Sequence, residues 1–341
     1  MIAACAEDQA DLLAEIWTGL LADDRERYEK VLAAALEQQQ EYLTATELAV
    51  YERGKRLRPM LLLLCARMLA GPGPLPEKVL QGAVSLEMLH VATLIHDDVI
   101  DESSLRRGAP SVNAVRGRGT AVIVGDLQFV QAIRGFVAAI DTQRDMVLVG
   151  KVLDAAFDVC RGELDELATD VGSEPAELLR RYRQTVDRKT AALIGLACES
   201  GVALVDGRTS DARRIGFYGR RLGRAFQMMD DVLDLVAEPA HTGKPWALDL
   251  RRRRPTLPLI HAMGALGPDH AVSRILRGEP ATAVNLAAAV TAVRCSGACA
   301  QAYADARAEA LDALQYLTPF PRNRYRAALA RIALHVVDRT P

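Results

Sequence analysis

Aromatic residues, lysine and long apolar runs are all scarce in this chain of 341 residues. Phe, Trp and Tyr make up only 5% of the sequence, and six of the 42 basic residues are lysines. The longest uninterrupted apolar run, Met60 to Ala66, is far shorter than the roughly 18 residues of a membrane span. The N-terminus carries acids and no early Lys or Arg, unlike a signal peptide. We therefore expect no transmembrane segment and a cytoplasmic location.

Charge and cysteine content exclude further classes of protein. The formal net charge of −2 provides no global basic field for nucleic acid or an anionic membrane. Six cysteines without regular spacing do not form a disulfide framework, which suits a reducing compartment. Half of the residues are hydrophobic, enough for a sizeable core.

Helical periodicity dominates the chain, whereas alternating β-branched runs of strand length are nearly absent. Gly and Pro mark breaks at 71–74, 108–110, 172–175, 238–258, 267–268 and 319–321. None of these breaks has the composition of an interdomain linker, and no repeat of fixed period is present. The sequence predicts a single all-α domain over residues 1–341.

The strongest feature is an acidic motif, DDxxD, that occurs at Asp97 to Asp101 and again at Asp230 to Asp234. In a helix, the first and last Asp of each copy point within about 40° of one another. Two stacked carboxylates repel, and a hard divalent cation is their natural neutraliser. Because Mg²⁺ bridges carboxylates to substrate phosphates, the motifs predict magnesium and a phosphate-bearing ligand. The alternative for either copy is an exposed acidic helix end.

Basic residues stand in compact groups near these acids. Lys55 and Arg58 lie one turn apart at a predicted helix start, where the helix dipole favours anions. Arg106 and Arg107 follow the first motif, and an arginine fork matches phosphate oxygens. The remaining candidates are Lys189, Lys244 and the run Arg251 to Arg254. Solvated surface charge is the alternative for these last residues.

With these residues in view, the chain resembles the trans-isoprenyl diphosphate synthases, in particular the bacterial polyprenyl diphosphate synthases. The strings that carry the resemblance are EMLHVATLIHDDVID at 87–101, LRRG at 105–108 and GRAFQMMDDVLD at 223–234. The resemblance implies antiparallel helices around a central cavity, the isoprenoid synthase fold, usually as a homodimer. It also implies Mg²⁺-dependent head-to-tail condensation of isopentenyl diphosphate with an allylic diphosphate, by ionisation, condensation and elimination.

The resemblance further implies a role for each candidate side chain. The residues implied to hold isopentenyl diphosphate are Lys55, Arg58, His90 and Arg107. Those implied to hold the allylic diphosphate are Arg106, Lys189, Thr190, Gln227 and Lys244. The implied magnesium ligands are Asp97, Asp101 and Asp230, which together with Lys189 and Lys244 form the implied catalytic set.

Product length is expected to depend on residues about one turn before the first motif. The residues there, Ala92 and Thr93, are small, whereas short-chain members of the family place aromatics at this point. One turn earlier, Leu89 is the next candidate to limit the length of the product. One helical turn of about 5.4 Å matches one extended five-carbon unit, so each turn of this helix corresponds to about one added unit. Because none of these residues is aromatic, we expect an open tunnel and an all-trans product of medium or long chain. In the alternative, Phe129 or Phe136 closes the tunnel, and the product has geranylgeranyl length or is shorter.

The chain departs from the family pattern in one loop. Trp246-Ala247-Leu248 stand where the family usually has Gly and a small polar residue, and Arg252 to Arg254 where it has an acid, Gly and Lys. Glu166 stands where Gln is common.

Three other functions compete with this interpretation. A helical di-iron oxidase is suggested by Glu87-x-x-His90 and Glu238-x-x-His241, although Pro239 disfavours a helical second copy. A class I terpene cyclase shares the first motif, but few aromatics are available to cradle cyclising cations. A non-catalytic partner subunit would be expected to lose acids that are intact here.

Overall fold

The computed structural model describes residues 12–142, 145–236 and 247–338, which are almost entirely helical. A π-helical turn at Ile16–Leu20 precedes α1 (Ala22–Glu37), α2 (Ala45–Glu52), α3 (Leu57–Ala70) and α4 (Glu77–Ile100). The middle of the chain forms α5 (Val112–Arg116), α6 (Arg118–Ala138), α7 (Met146–Leu167), α8 (Pro175–Val186), α9 (Ala192–Ala203) and α10 (Thr209–Val236). The last helices are α11 (Leu248–Arg251), α12 (Leu257–Leu266), α13 (Ala271–Leu276), α14 (Ala283–Cys295), α15 (Ala298–Leu317) and α16 (Arg324–Val337).

Helix α4, which ends in the first acidic motif, is buried on almost every side. Its sequence predicts this position, because apolar residues cover most directions around it. Helix α6 packs against it in the antiparallel sense, with Gly125 opposite His96 and Gly135 opposite Ser85. A Cβ at Gly125 would lie 2.2 Å from His96 Nε2, so only glycine allows this approach.

Helix α10, which carries the second acidic motif, is held between α9 and α15. The hydroxyl of Tyr218 in α10 donates to the carbonyl of Leu329 in α16 at 2.8 Å. Helix α9 also packs on α3. Both motifs therefore lie on long helices fixed by their neighbours, and such helices position side chains more rigidly than loops do.

A two-residue hairpin follows the first motif. Strand β1 (Leu105–Arg106) pairs antiparallel with β2 (Ala109–Pro110). The turn residues Arg107 and Gly108 have φ of 51° and 75°, as in the turns that suit tight hairpins. Where the sequence predicted only a loop, the structure has a hairpin that presents two arginines beside α4.

A π-helical turn at Asp187–Ala191 joins α8 to α9. π-Helical turns are rare in proteins overall, but those that occur often lie at functional sites. Arg224 of α10 fastens this one through its Nη2, which donates to Asp187 Oδ1 at 2.6 Å. The turn carries Thr190, which bonds to Gln227 on the helix of the second motif, and Lys189, which pairs with Glu166 on α7.

Two helices in the described ranges reach the length and hydropathy of a membrane span by composition alone. These are α4 and α6, with mean hydropathy of 1.2 and 1.4, and the bent pair α14 and α15 passes only if counted together. Within the protein, 72% of the apolar window of α4 is buried but only 33% of that of α6. Helix α4 is thus a core helix, whereas α6 leaves an apolar side exposed.

Candidate active site

The carboxylates of the first motif have different surroundings. Asp98 is buried, and each of its oxygens accepts a bond at 3.0 Å from Arg106 Nε, so it anchors the hairpin. Asp97 is half-buried, and burial raises its pKa to about 6 against the pull of Lys189. A carboxyl pKa raised in this way indicates a negative charge that its neighbours compensate incompletely.

Asp101, the last acid of this motif, is held by two arginines from the segment after α11. Arg252 Nη1 donates to Asp101 Oδ2 at 2.8 Å, and its Nη2 donates to Ser103 Oγ at 2.9 Å. Arg254 Nη2 donates to Asp101 Oδ1, and its Nε lies 2.9 Å from Glu166 Oε1. Two members of the arginine run therefore lie in the acidic site, not on a solvated surface.

A buried chain of hydrogen bonds supports the second motif. Asp231 is buried and accepts from the Tyr182 hydroxyl at 2.6 Å and from Gln227 Nε2 at 2.9 Å. Gln227 Oε1 in turn accepts from Thr190 Oγ1 at 2.9 Å. Burial raises the pKa of Asp231 to about 7. Asp231 thus orients Gln227, which the sequence predicts to hold the allylic diphosphate.

The outer acids of the second motif also differ in role. Asp234 accepts the backbone N–H groups of Leu248 and Asp249, each at 3.1 Å, and so anchors the start of α11. Burial and the nearby Asp234 raise the pKa of Asp249 well above its usual value. Asp230 is half-buried one helical turn before Asp234 on α10.

The π-helical turn brings the two motifs together. Lys189 Nζ lies 2.7 Å from Glu166 Oε2, and although burial opposes the shift, Asp97 and Glu166 raise the pKa of Lys189. The next residue, Thr190, bonds to Gln227 beside the second motif. Two consecutive residues thus link the two acidic motifs, which are more than 100 positions apart in the sequence.

A second group of polar side chains surrounds Glu87 on α4. The backbone of Gly54 lies against it, because a Cβ there would be 3.2 Å from both Arg107 Nη1 and Glu87 Oε1. Arg58 and Arg107 act electrostatically on Glu87 and on His90. The structure therefore brings together three of the four residues predicted to hold isopentenyl diphosphate.

Several buried atoms of this group have no hydrogen-bond partner within the described part of the chain. They are Arg56 Nη1, Arg58 Nε, Glu87 Oε2 and His90 Nδ1. Burial lowers the pKa of Arg58 to about 10, and burial together with Arg58 and Arg107 lowers that of His90 well below its usual value. Unpaired buried groups in a folded protein call for a bound partner, and a diphosphate supplies acceptors for the donors.

The structure says less about Lys55 and Lys244, two of the lysines predicted to hold diphosphates. Helix α3 begins at Leu57, so Lys55 lies before the helix, exposed, and not on its first turn as the sequence predicted. Arg56 takes a left-handed conformation there, with φ of 50°, and separates Lys55 from the helix. Lys244 and Trp246 lie outside the described residues, as do Glu238 and His241.

The residues predicted to set chain length lie in the buried part of α4. Ala92 and Leu89 are buried, and the Thr93 hydroxyl donates to the His90 carbonyl at 2.7 Å. The antiparallel register with α6 places Phe129 across from Ala92. The ring of Phe136 lies near Gly82, about 15 Å further along α4 at 1.5 Å per residue.

The acids fit a divalent cation by donor chemistry but form no complete cage. Over residues 12–142, 145–236 and 247–338, no three His, Cys, Asp or Glu side chains are arranged to hold a metal. Mg²⁺ commonly takes one or two carboxylates and fills its shell with water and phosphate oxygens. The half-buried Asp97 and Asp230 fit this mode. Glu87 lies among arginines, which is unsuited to the di-iron alternative.

The family model described as polyprenyl synthetase matches residues 39–293. The chain belongs to the polyprenyl synthetase family. It is 31% identical over 322 residues to heptaprenyl diphosphate synthase component 2 of Geobacillus stearothermophilus, covering 94% of this chain and 97% of the relative. This membership confirms the predicted prenyltransferase and overturns the di-iron interpretation.

Solved structures agree with this polyprenyl synthetase fold. A decaprenyl diphosphate synthase from Rhodobacter capsulatus aligns with a TM-score of 0.84 and 28% identity, over 97% of this chain and 99% of that one. A polyprenyl synthase from Caulobacter crescentus, complexed with calcium and isoprenyl diphosphate, gives 0.81 and 29% over 97% and 98%. The all-α isoprenoid synthase fold is confirmed, in a family that generally uses a divalent metal.

Sequence reasoning missed the side chains that position the predicted residues in this polyprenyl synthetase. Tyr182 gave no signal, because its contact with Asp231 spans 49 positions. Glu163, which pairs with Lys189 from the adjacent helix, is another residue that sequence reasoning did not assign to the site. For Arg252 the sequence did contain a usable signal, because a basic residue stands where the family usually has an acid.

Proposed function

We propose that this enzyme makes a medium- or long-chain all-trans polyprenyl diphosphate from isopentenyl diphosphate and an allylic diphosphate. The observation that carries the proposal is the meeting of both acidic motifs at Lys189 and Thr190, with a separate cationic group around Glu87. Two anionic substrates require two anion sites, and this arrangement supplies both. We also propose that residues 1–341 form one domain.

The site around the acids is assigned to the allylic substrate. Its proposed diphosphate ligands are Arg106, Lys189, Thr190, Gln227 and Lys244, with Mg²⁺ held by Asp97, Asp101 and Asp230. Arg106 gives Nε and Nη2 to Asp98, which leaves its Nη1 for a phosphate oxygen. The group of Lys55, Arg58, His90 and Arg107 is assigned to isopentenyl diphosphate.

The proposed chemistry follows from where charge develops. Magnesium, when bound, would neutralise the departing diphosphate. Lys189 adds a fixed positive charge at the same place as the allylic carbon–oxygen bond breaks. The isopentenyl double bond then attacks the allylic cation to form the new carbon–carbon bond, and loss of a proton to the released diphosphate restores a double bond. The buried apolar wall of α4 keeps water from the cation.

The proposal is tested by incubating the pure protein with Mg²⁺, isopentenyl diphosphate and allylic starters of different length. Mass spectrometry should detect products longer by whole five-carbon units, and a metal chelator should abolish them. A cyclic hydrocarbon product would instead indicate a terpene cyclase. No product with any starter would contradict the proposal.

Ala92→Tyr is expected to shorten the main product. Ala92 is buried in α4, and a rigid ring at that position fills the proposed passage. Product mass should fall by whole five-carbon units, and Ala92→Leu, with a smaller side chain, should shorten it less. A circular dichroism melt verifies that each variant is folded. The parent length in a folded Ala92→Tyr variant would show that the product does not pass this residue.

We propose that two copies of the chain associate through the α6–α7 apolar face. This face comprises the exposed side chains Val122, Ile123, Val130, Val137, Met146, Val147, Leu153, Phe157, Leu164 and Leu167. They recur at helical spacing on adjacent helices, and exposed apolar area of this kind marks an interaction surface. A second copy presents the same face, so a two-fold axis covers both.

Sedimentation tests this association directly. The parent protein should sediment at about twice its 37.0 kDa mass, and Phe157→Asp should yield the monomer. Val284→Asp is the matched control, because Val284 is exposed but lies on α14, away from the face. A monomeric parent would contradict the dimer.

A different second subunit is the other candidate partner. The Geobacillus relative is named component 2 of its synthase. A non-catalytic role for this chain itself is disfavoured by the intact acids at both motifs. Full activity of the purified chain alone would argue against any requirement for a second component. A cytoplasmic location remains a prediction of the sequence.

A further inference from the structure

The two outer acids of the first motif are not equivalent in this structure. Both carboxylate oxygens of Asp101 accept hydrogen bonds from guanidinium groups, one from Arg252 and one from Arg254. Within the part of the chain that the structure describes, the Asp97 carboxylate accepts no hydrogen bond. A cation that approaches the first motif therefore meets one uncapped and one capped carboxylate.

Arg252 is held firmly in its position. Besides Asp101 Oδ2, it donates to the Asp101 carbonyl at 3.3 Å and to Ser103 Oγ at 2.9 Å. Its side chain is only 25% exposed, so solvent screens these charge-assisted bonds less than it would on an open surface.

We propose that Arg252 competes with the divalent metal for Asp101, so that the metal binds tightly only together with a diphosphate. The proposal rests on the metal ligands assigned under the proposed function. Arg252 occupies a lone pair of Asp101 and repels a second cation by its charge. A diphosphate offers the guanidinium other anionic oxygens and so makes the release of Asp101 less costly. Because such coupling is reciprocal, metal and diphosphate each strengthen the binding of the other.

Mn²⁺ binding in the absence of any diphosphate tests the competition. Free Mn²⁺ is measured by electron paramagnetic resonance in titrations of the full-length protein. Arg252→Gln should lower the Mn²⁺ dissociation constant about tenfold, the effect of a single removed charge-assisted competitor. The matched control is Arg253→Gln, which removes the same charge one residue away, where the side chain donates to the Gly278 carbonyl at 3.0 Å. The control should stay within about twofold of the parent.

A double variant shows whether the gain runs through Asp101. In the Asp101→Asn background, Arg252→Gln should no longer tighten Mn²⁺ binding, because the contested carboxylate is gone. A gain that persists there, or no gain in the single variant, would overturn the competition.

Two further measurements keep the outcome decisive. Arg252→Lys retains the charge but loses the two-pronged guanidinium, so it should increase the affinity for Mn²⁺ less than Arg252→Gln does. It replaces Arg252→Gln in the titrations if that variant does not fold. If the protein shows Mg²⁺-dependent condensation but these variants bind Mn²⁺ no more tightly than the parent, the competition is overturned while the metal assignment stands. The absence of both condensation and Mn²⁺ binding would overturn the competition and the metal assignment together.

Discussion

Asp97→Ala and Asp230→Ala should each lower kcat by at least about 100-fold, because each removes a carboxylate proposed to stabilise the departing diphosphate through a metal. The fold should survive, since Asp97 is half-buried with a raised pKa and its removal relieves an unfavourable charge. Steady-state assays at saturating Mg²⁺, with circular dichroism of each variant, provide the measurement.

The matched control is Glu102→Ala. Glu102 lies next to Asp101, but its side chain is 73% exposed and pairs with Arg118 on the surface. This variant should stay within about twofold of the parent, because exposed ion pairs contribute little. Unchanged turnover in both aspartate variants would refute the metal assignment.

Arg58→Ala should raise the KM for isopentenyl diphosphate about tenfold or more, and the KM for the allylic substrate far less. Among the residues that the structure describes, its buried Nε atom has no hydrogen-bond partner, and the side chain belongs to the group around Glu87, not to the acidic motifs. Loss of this cation removes a charge-assisted bond to one substrate only.

Arg53→Ala is the control for Arg58→Ala, since Arg53 is exposed in the turn before the same helix. Its kinetic constants should match those of the parent. If Arg58→Ala raised both Michaelis constants equally, the division into two anion sites would be wrong.

Local sequence pattern was sufficient to predict the helices and the acidic stripes. Helix α4 was recognisable from its apolar residues, and the spacing of Asp97 and Asp101 placed them on one side of it. Glycine and proline predicted the helix ends at Ala70, Leu266 and Leu317. These features depend on residues close in sequence, where helical geometry alone fixes the arrangement.

Contacts between distant segments were not predictable in the same way. Arg252 reaches Asp101 across 151 positions, and this contact depends on how the segment after α11 folds over the end of α4. The motif pattern also did not reveal that Asp98 and Asp231 anchor neighbouring side chains. Such assignments require the packing of several helices, which no single spacing in the sequence encodes.

The joint use of both acidic motifs on one diphosphate is tested most directly by anomalous diffraction. Crystals would be grown with Mn²⁺ and an allylic thiolodiphosphate, in which sulfur replaces the bridging oxygen and slows ionisation. We expect manganese peaks at coordination distance from Asp97 and from Asp230, with Lys189 in contact with the diphosphate between them. Manganese at one motif only, or a diphosphate bound away from Lys189, would contradict the joint use of the two motifs.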